Sequence, residues 1–411
     1  MKEAWRILGG LAAGLALGAI WDAAAWPALP RAIEAADAIG GLWLDALKMT
    51  IVPLVFALIV SGVMSTANAA ASGRITARSI LLFAILLPAG AAFAAVVAPL
   101  LLTLWPIPPQ SAAALVAAAP AAETIVEAAA GPYSFLRAFV APNVIAAAAQ
   151  GAMLAIAVFA LLFGFAATRL GGERRAVLAT FFDAVVETML GIVGWVLVVG
   201  PIGVFALAFV VGARTGFDSL GAFGHYVAII SLTLALLTLV TYPLAVWGGG
   251  VRLAAFARAM IPAQSVAIGT QSSLASLPAM IEAAGGPLAL PPRVVGITLP
   301  LAVSLFRLTS PAGNLAVAIY IAGLYGIDLS IWQLAAGILV AAIVSVSAVG
   351  IASAVTFFPL MAPICLAMGL PIELIGLLIA VETIPDIFRT IGNVTGDVAV
   401  TTLVARHHRS E

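Results

Sequence analysis

Five long stretches of the sequence before Arg252 contain no Asp, Glu, Lys or Arg residue. They cover residues 49–73, 79–122, 138–168, 188–213 and 219–251. Each is long enough to cross the hydrocarbon core of a bilayer, which takes about 20 mostly apolar residues in a helix. Prolines at 106, 108 and 109 predict that the helix in the second stretch ends near Leu104. The sequence therefore predicts an all-α polytopic membrane protein.

The overall composition agrees with a chain whose solvent is lipid. Hydrophobic residues make up 64% of the 411 residues and charged residues 9%, against roughly a quarter in soluble domains. Eighteen basic residues balance eighteen acidic ones, so no basic surface is available for nucleic acid. A single cysteine, Cys365, excludes an internal disulfide and a cysteine-rich metal cluster.

The N-terminal segment has two interpretations. Lys2 and Arg6 precede an apolar stretch, 7–21, and the small residues 23–25 follow it, as in a secretory signal peptide. Asp22 interrupts the expected cleavage site, and many further spans follow. We therefore expect a retained first helix, with a cleaved signal peptide as the alternative.

Basic residues recur after every second predicted crossing, while the intervening loops are mainly acidic. The basic loop residues are Lys2 and Arg6, Arg74 and Arg78, Arg169, Arg174 and Arg175, and Arg252 and Arg258. By the positive-inside rule, these residues face the cytoplasm. We expect a protein of the inner membrane with both termini in the cytoplasm.

Two later stretches break this alternation. If 259–281 spanned the membrane, Arg293 would lie outside, and the stretch is rich in proline, glycine and serine. The stretch 329–372 is bounded by acidic residues and contains Pro359 and Pro363. Two interrupted segments that enter from opposite sides are typical of transporters with inverted repeats. We expect two re-entrant hairpins; a pair of kinked helices is the alternative.

The last membrane segment, 374–404, carries an unusual polar face. The polar residues at steps of four, three, four and four are Glu382, Asp386, Arg389, Asn393 and Asp397. At about 100° per residue they share one side of a helix. Ionisable groups at that depth cost about 2.5–3.5 kcal/mol each, so they require partners or a polar cavity. The alternative to a binding site is an Asp386–Arg389 ion pair that only stabilises the bundle.

A proline also lies in this segment. Pro385 has no N–H to donate to the carbonyl of Val381, one helical turn earlier.

The run 386–397, DIFRTIGNVTGD, resembles the eighth-helix signature of the dicarboxylate/amino acid:cation symporter family, the glutamate transporter homologues. Residues 48–53 are similar to the family's second helix. Trp195 and residues 201–206 are similar to its fifth helix, and 270–278 to the tip of its first hairpin. The resemblance covers nearly the whole chain.

The resemblance implies a fold and an assembly. The fold has eight transmembrane helices plus two re-entrant hairpins with inverted repeats, and the assembly is a homotrimer. Residues 1–70 and 135–215 would form a scaffold, and 73–134 would hold helix 3 and an outer loop. Residues 219–411 would form a transport core that moves past the scaffold like an elevator.

The resemblance also implies roles for residues in the last helix. Arg389 would bind the substrate's side-chain carboxylate, Asp386 its amino group, and Asn393 with Thr390 its main-chain carboxylate. A plain dicarboxylate would leave Asp386 unmatched, at a cost of a few kcal/mol if buried. The pattern therefore favours aspartate or glutamate as the small acidic solute.

Other substrate contacts would come from the hairpins and helix 7. Ser272 and Ser273 would add donors from the first hairpin, and Ser310 lies at the matching position of helix 7. Ile351 belongs to the second hairpin, the expected outer gate, which lacks the family's usual Gly-Val-Pro-Gly pattern.

The chain departs from the family at the sodium sites. The family's Asn-Met-Asp-Gly-Thr motif of helix 7 is replaced by residues 306–310, FRLTS, and its helix-3 ligands by Phe83, Leu86 and Leu87. Because hard cations need several oxygen ligands, we expect one sodium site to be absent. Asn393 and Asp397 remain as a degenerate second sodium site. No other cofactor is expected.

Arg307 introduces a fixed positive charge beside the expected sodium position. We hypothesise that its guanidinium replaces a bound cation by pairing with Asp397. Coupling would then run through protons, with Glu382 as the carrier because burial favours the neutral form of a carboxyl group. The alternative is that Arg307 snorkels or forms an inert ion pair.

Two rival functions use the same residues. Glu382 and Asp386 lie one helical turn apart, as in the paired carboxylates of a membrane hydrolase, but Arg389 on the same face keeps Asp386 ionised. Ser272 and Ser273 have no histidine nearby in sequence. We therefore expect a transporter and no enzyme activity. An uncoupled exchanger, a uniporter or an anion conductance on the same fold remains the alternative.

Overall fold

The computed structural model describes residues 2–24, 28–70, 73–119, 132–216, 220–346 and 353–406. Within these ranges the regular structure is helical. The helices before residue 217 are α1 (Lys2–Ala23), α2 (Leu29–Lys48), α3 (Ile51–Ala70), α4 (Arg74–Leu104), α5 (Pro109–Ala118), α6 (Pro132–Ala138), α7 (Val144–Ala149), α8 (Met153–Ala167), α9 (Gly172–Val198) and α10 (Gly200–Thr215). Those that follow are α11 (Leu220–Pro243), α12 (Leu253–Thr270), α13 (Ser273–Gly285), α14 (Pro292–Leu305), α15 (Thr309–Leu324), α16 (Ile331–Val346), α17 (Ser353–Ala367), α18 (Ile375–Leu378) and α19 (Thr383–Arg406). A π-helical turn, Leu244–Gly248, extends α11.

Six helical segments of the described chain are long and apolar enough to cross a membrane. They are Arg6–Ala23, Leu29–Ala67, Arg74–Leu104, Gly172–Val198, Leu220–Gly248 and Pro292–Leu324. Several shorter helices, including α8 and α16, are equally apolar. The predicted end of a helix near Leu104 is confirmed by α4, whose last residue is Leu104. The chain is a multi-pass membrane protein.

Glycines bring α1 and α10 into close contact. A Cβ atom added at Gly14 would clash with the carbonyl of Phe205 and lie 2.9 Å from the Cβ of Ala208. Gly10 and Gly18, one turn to either side, face the α10 backbone in the same way. Small residues four apart let two membrane helices approach to backbone contact. The first helix is therefore an integral part of the packed fold.

The two stretches predicted to be hairpins each contain a pair of contacting helices. In the first, α12 and α13 meet at Gln271, which adopts a left-handed conformation with φ of 51°. In the second, α16 packs on α17, and the connecting residues 347–352 lie outside the described part of the chain. The broken helices agree with the sequence pattern, while the re-entrant path through a membrane stays a prediction.

The last segment, 374–404, is not one continuous helix as the sequence suggested. The short α18 ends at Leu378, four turn residues follow, and α19 begins at Thr383. Pro385 is thus the third residue of α19, in the first turn, where a backbone N–H has no partner within the helix anyway. Because α19 begins at Thr383, the carbonyl of Val381 precedes the helix and is not one of its hydrogen-bond acceptors.

Helix α19 lies at the centre of the later half of the chain. It contacts α11, α12, α14 and α15, and almost every side chain from Pro385 to Ala405 is buried. Its polar face therefore cannot point to lipid or water. Opposite it, the family-like helix 7 is broken at residues 306–308, between α14 and α15. The site described next lies where α15 and α11 meet this face.

Candidate functional site

Arg389 lies at the centre of a buried polar cluster and is 3% exposed. Its Nη1 donates a hydrogen bond of 2.5 Å to Oδ1 of Asn314, and its Nη2 forms an ion pair with Glu382. Its Nε lies 3.7 Å from a carboxylate oxygen of Asp386. The guanidinium is therefore held by three side chains, and two of them are acidic.

Gly313 on α15 makes room for this guanidinium. A Cβ atom at Gly313 would lie 3.2 Å from Nη2 and 3.3 Å from Cζ of Arg389, tighter than ordinary van der Waals contact. Asn314 follows on the same helix and supplies the amide oxygen. Gly313 therefore leaves space for the guanidinium, and Asn314 provides a hydrogen-bond acceptor for it.

Glu382, in the turn before α19, connects α19 to α11 through its two carboxylate oxygens. Its Oε1 pairs with Arg389, and its Oε2 accepts a hydrogen bond of 2.6 Å from the hydroxyl of Tyr226 on α11. Glu382 is 3% exposed and Tyr226 is fully buried. Sequence reasoning missed Tyr226 and Asn314, although a phenol and an amide within long apolar runs were a signal for both.

Asn393 and Thr309 attach the start of α15 to α19. Oδ1 of Asn393 accepts a hydrogen bond of 3.0 Å from the backbone N–H of Thr309, whose hydroxyl donates to the carbonyl of Arg389 at 2.6 Å. Nδ2 of Asn393 lies 3.4 Å from the hydroxyl of Ser310. Thr390 donates to the carbonyl of Asp386 at 2.9 Å. These groups line the same side of α19 as Arg389.

The predicted hairpin residues lie less directly at this cluster. The hydroxyl of Ser272 accepts a hydrogen bond of 3.2 Å from the N–H of Ala275, so it serves as the N-cap of α13. Ser273 is the half-buried first residue of that helix. Both α12 and α13 contact α19. Ile351 lies outside the described residues.

Asp397 is fully buried two turns beyond Arg389. Among the described residues, neither of its carboxylate oxygens accepts a hydrogen bond. Arg307, in the break between α14 and α15, interacts electrostatically with the carboxylates of Asp397 and Asp386. A buried carboxylate of this kind requires a nearby positive charge or must become neutral.

Hydrocarbon fills the positions where the sequence resemblance predicted sodium ligands. The rings of Phe83 and Phe306 stack with centroids 4.7 Å apart and an angle of 17° between their planes. Leu308 packs against Gly396, where an added Cβ would lie 3.2 Å from Cδ2 of the leucine. Leu87 is buried, and Leu86 is half-buried. These side chains offer no oxygen atom to a hard cation. Within the described residues, no group of three or more histidine, cysteine or acidic side chains is arranged to hold a metal ion.

The arrangement is chemically suited to exchanging one carboxylate for another. Two guanidinium groups and three carboxylates lie close together; Arg307 is half-buried and the other four are buried. The acidic members are Glu382, Asp386 and Asp397, and the basic members are Arg307 and Arg389. A planar guanidinium binds carboxylates in a two-pronged geometry. An incoming carboxylate would compete for the groups that the protein's own acidic side chains occupy.

Comparison with known proteins identifies the family. The model of the sodium:dicarboxylate symporter family matches residues 4–407. The chain is 28% identical to the proton/glutamate-aspartate symporter of Escherichia coli (strain K12), over 98% of this chain and 92% of that protein. It is 28% identical, with the same coverage, to the proton/sodium-glutamate symport protein of Bacillus subtilis (strain 168).

A third relative is named for a different substrate class. The C4-dicarboxylate transport protein 2 of Bradyrhizobium diazoefficiens is 30% identical over 77% of this chain and 70% of its own length. These names describe transporters rather than enzymes. From the match over nearly its full length, together with the polar face of α19, we conclude that the chain belongs to the sodium:dicarboxylate symporter family.

Proposed function

We propose that this protein is a secondary active transporter that carries an acidic amino acid, with aspartate or glutamate favoured, across the inner membrane together with a proton. The observation that carries the proposal is the buried guanidinium of Arg389, held by Glu382 and Asn314 inside a membrane helix bundle. Relatives named for glutamate, aspartate and dicarboxylates support the substrate class.

In this proposal the substrate's side-chain carboxylate binds Arg389 in place of Glu382. Asp386 receives the substrate ammonium group, and Thr390 with Asn393 receives the main-chain carboxylate. The contributors from neighbouring segments would be Ser272, Ser273, Ser310 and Ile351. The side-chain carboxylate and the ammonium group then each meet a group of opposite charge, while the main-chain carboxylate meets neutral hydrogen-bond donors.

Charge balance is the reason to expect a proton. An acidic amino acid brings one net negative charge into a cluster that already holds more carboxylates than guanidinium groups. When Glu382 loses Arg389, a buried carboxylate is left without its cation, which is costly in a low-dielectric interior. Protonation of Glu382 removes that cost, and Tyr226 can keep its hydrogen bond to the neutral acid. Substrate and proton would therefore bind together.

Sodium is not the coupling ion in this proposal. The stacked rings of Phe83 and Phe306 take space that sodium ligands would need. Asn393 and Asp397 supply too few oxygen atoms for a complete site. We propose that Arg307 provides near Asp397 the positive charge that a bound cation provides elsewhere in the family.

The finer architecture is also proposed: a homotrimer, two re-entrant hairpins, and a core of residues 219–411 that moves past the scaffold. An ion pair is among the contacts between the two proposed units. Nζ of Lys48, at the end of α2, lies 3.9 Å from Oε1 of the buried Glu373, just before α18. An elevator movement would have to break this ion pair.

Uptake of labelled aspartate into proteoliposomes tests the proposal. We expect accumulation when the lumen is more alkaline than the medium, and no change when sodium is replaced by choline on both sides. Succinate should compete more weakly than glutamate. Strict dependence on a sodium gradient would refute proton coupling. Uptake that never exceeds equilibrium would instead indicate an uncoupled exchanger, a uniporter or a conductance.

A further inference from the structure

A histidine and a tyrosine form a buried hydrogen-bonded pair at the beginning of α11, outside the proposed substrate site. Nδ1 of His225 lies 3.1 Å from the hydroxyl oxygen of Tyr320 on α15. Nε2 of His225 lies 2.9 Å from the carbonyl oxygen of Trp105, just after α4. The hydroxyl of Tyr320 also contacts the carbonyl oxygen of Ala222 at 2.8 Å. His225 is 4% exposed and Tyr320 is fully buried.

Counting hydrogens shows what these three contacts require. The contacts form a line from Trp105 O through the imidazole and the phenol to Ala222 O, and each needs one hydrogen. The two carbonyls supply none, the phenol supplies one, and a neutral imidazole supplies one. A neutral ring would leave two lone pairs facing each other in one of the contacts. Only the imidazolium, which donates from both nitrogens, satisfies all three.

We propose that His225 is a proton-binding site, distinct from Glu382, in which two backbone carbonyls and the phenol of Tyr320 hold the imidazolium. The hydrogen bonds of the protonated ring would link α11 to α15 and to the residue that follows α4. This inference goes beyond the proposed function, because none of its groups contacts Arg389 or the proposed substrate.

The groups around the ring are compatible with a positive charge. The indole of Trp105 meets the imidazole edge-to-face, with ring centroids 4.8 Å apart. Tyr320 faces it from α15, and Ser111 of α5 lies beside the neighbouring Gly221. The next residue on α11, Tyr226, donates a hydrogen bond to Glu382, in the turn before α19, so one carboxylate lies a single side chain away. Among the described residues, the titratable groups facing the site are therefore Tyr320, Tyr226 and, through Tyr226, Glu382.

Nuclear magnetic resonance of the imidazole nitrogens tests this directly. The sequence contains three histidines, so the double variant His407→Gln, His408→Gln leaves His225 as the only one. In detergent micelles with ¹⁵N-labelled histidine, we expect both ring nitrogens to carry a hydrogen at pH 7. At that pH an unperturbed histidine, with a pKa of about 6.5, is mostly neutral. A singly protonated ring at pH 7 would overturn the proposal.

Tyr320→Phe provides a second test, because it removes the acceptor of the Nδ1 hydrogen. Hydrogen bonds to charged groups change an equilibrium by roughly ten- to a hundredfold, so we expect proton affinity at His225 to fall by that factor. Tyr325→Phe, one residue beyond the end of α15, is the matched control and should leave the titration unchanged. An identical titration in the Tyr320→Phe variant would refute the role of the phenol. Because the readout is the ring itself, it is independent of whether the protein carries aspartate.

Discussion

The hydroxyl of Tyr226 donates a hydrogen bond of 2.6 Å to the carboxylate of Glu382, whose other oxygen pairs with Arg389. Glu382 can therefore exist in two protonation states with different hydrogen-bond partners. As a carboxylate it accepts from both neighbours, and as a neutral acid it keeps the phenol and releases the guanidinium. The proposed exchange of substrate for Glu382 depends on this choice.

Replacing Glu382 with glutamine should remove the pH dependence of substrate binding. If one proton is taken up with each substrate, the affinity of the unmodified protein for aspartate rises about tenfold for each unit by which pH falls, as long as free Glu382 is charged. Glutamine cannot titrate, so binding to the variant should be independent of pH. Isothermal titration calorimetry between about pH 5 and pH 8 measures both slopes.

The exposed Glu282 on α13 offers a matched control. Glu282→Gln should keep the full pH dependence. The same slope in Glu382→Gln and in the unmodified protein would show that the proton binds elsewhere.

Arg389→Lys should weaken aspartate binding even though it keeps the positive charge. The guanidinium contacts Asn314, Glu382 and Asp386 at once, and a lysine ammonium cannot reproduce that planar fork. Loss of one charge-assisted hydrogen bond costs about 1.5–3 kcal/mol, which corresponds to a ten- to hundredfold rise in Kd. Arg293→Lys, at an exposed position on α14, should bind normally. Equal affinity in both variants would remove Arg389 from the substrate site.

Asp386→Asn should change selectivity more than overall binding strength. Aspartate has an ammonium group for Asp386 to hold, whereas succinate has none. The variant should therefore lose aspartate affinity by about 1.5–3 kcal/mol while succinate affinity stays constant or improves. Competition of unlabelled succinate against labelled aspartate gives the ratio. A parallel loss for both solutes would mean that Asp386 does not contact the amino group.

Two glycines of α1 should respond oppositely to alanine. At Gly14 a Cβ meets the backbone of α10, so Gly14→Ala should destabilise the protein by about 1–3 kcal/mol through overpacking. At Gly9 nothing lies within 4 Å of the added atom, so Gly9→Ala should be neutral or stabilise the helix by up to about 1 kcal/mol. The thermal midpoint of purified protein in detergent compares them. Equal midpoints would contradict the close contact of α1 with α10.

The helical layout was largely predictable because lipid imposes one strong rule on a chain. Segments without charge must be helical where they cross. The prolines at 106, 108 and 109 then predicted the end of α4, which lies at Leu104. The break between α18 and α19 was not predicted, since residues 379–382 continue the surrounding apolar and helix-compatible pattern. Pro385 was the one sequence signal for this break, because proline is tolerated in the first turn of a helix but not in its interior.

The polar residues of the last helix were predictable from their spacing, but the side chains from other helices that contact them were not. The spacing from Glu382 to Asp397 identified one polar face of α19. Tyr226 lies 156 positions from Glu382 in sequence, and Asn314 lies 75 from Arg389. Which side chains meet across helices depends on how the helices rotate and pack, and a single sequence carries no local signal for that.

The proposal that the Arg307 guanidinium replaces a bound cation beside Asp397 can be tested by measuring the stability of the folded protein. Arg307→Met should leave the buried carboxylate of Asp397 without its positive neighbour, at a cost of about 3–5 kcal/mol. Adding Asp397→Asn should restore most of that loss, because the neutral amide needs no cation, and the two changes should then be strongly non-additive. If the position beside Asp397 accepts a cation, sodium chloride but not choline chloride should raise the thermal midpoint of Arg307→Met. The double variant should not respond to sodium. Additive effects without any response to sodium would mean that Arg307 is held by other groups and does not substitute for an ion.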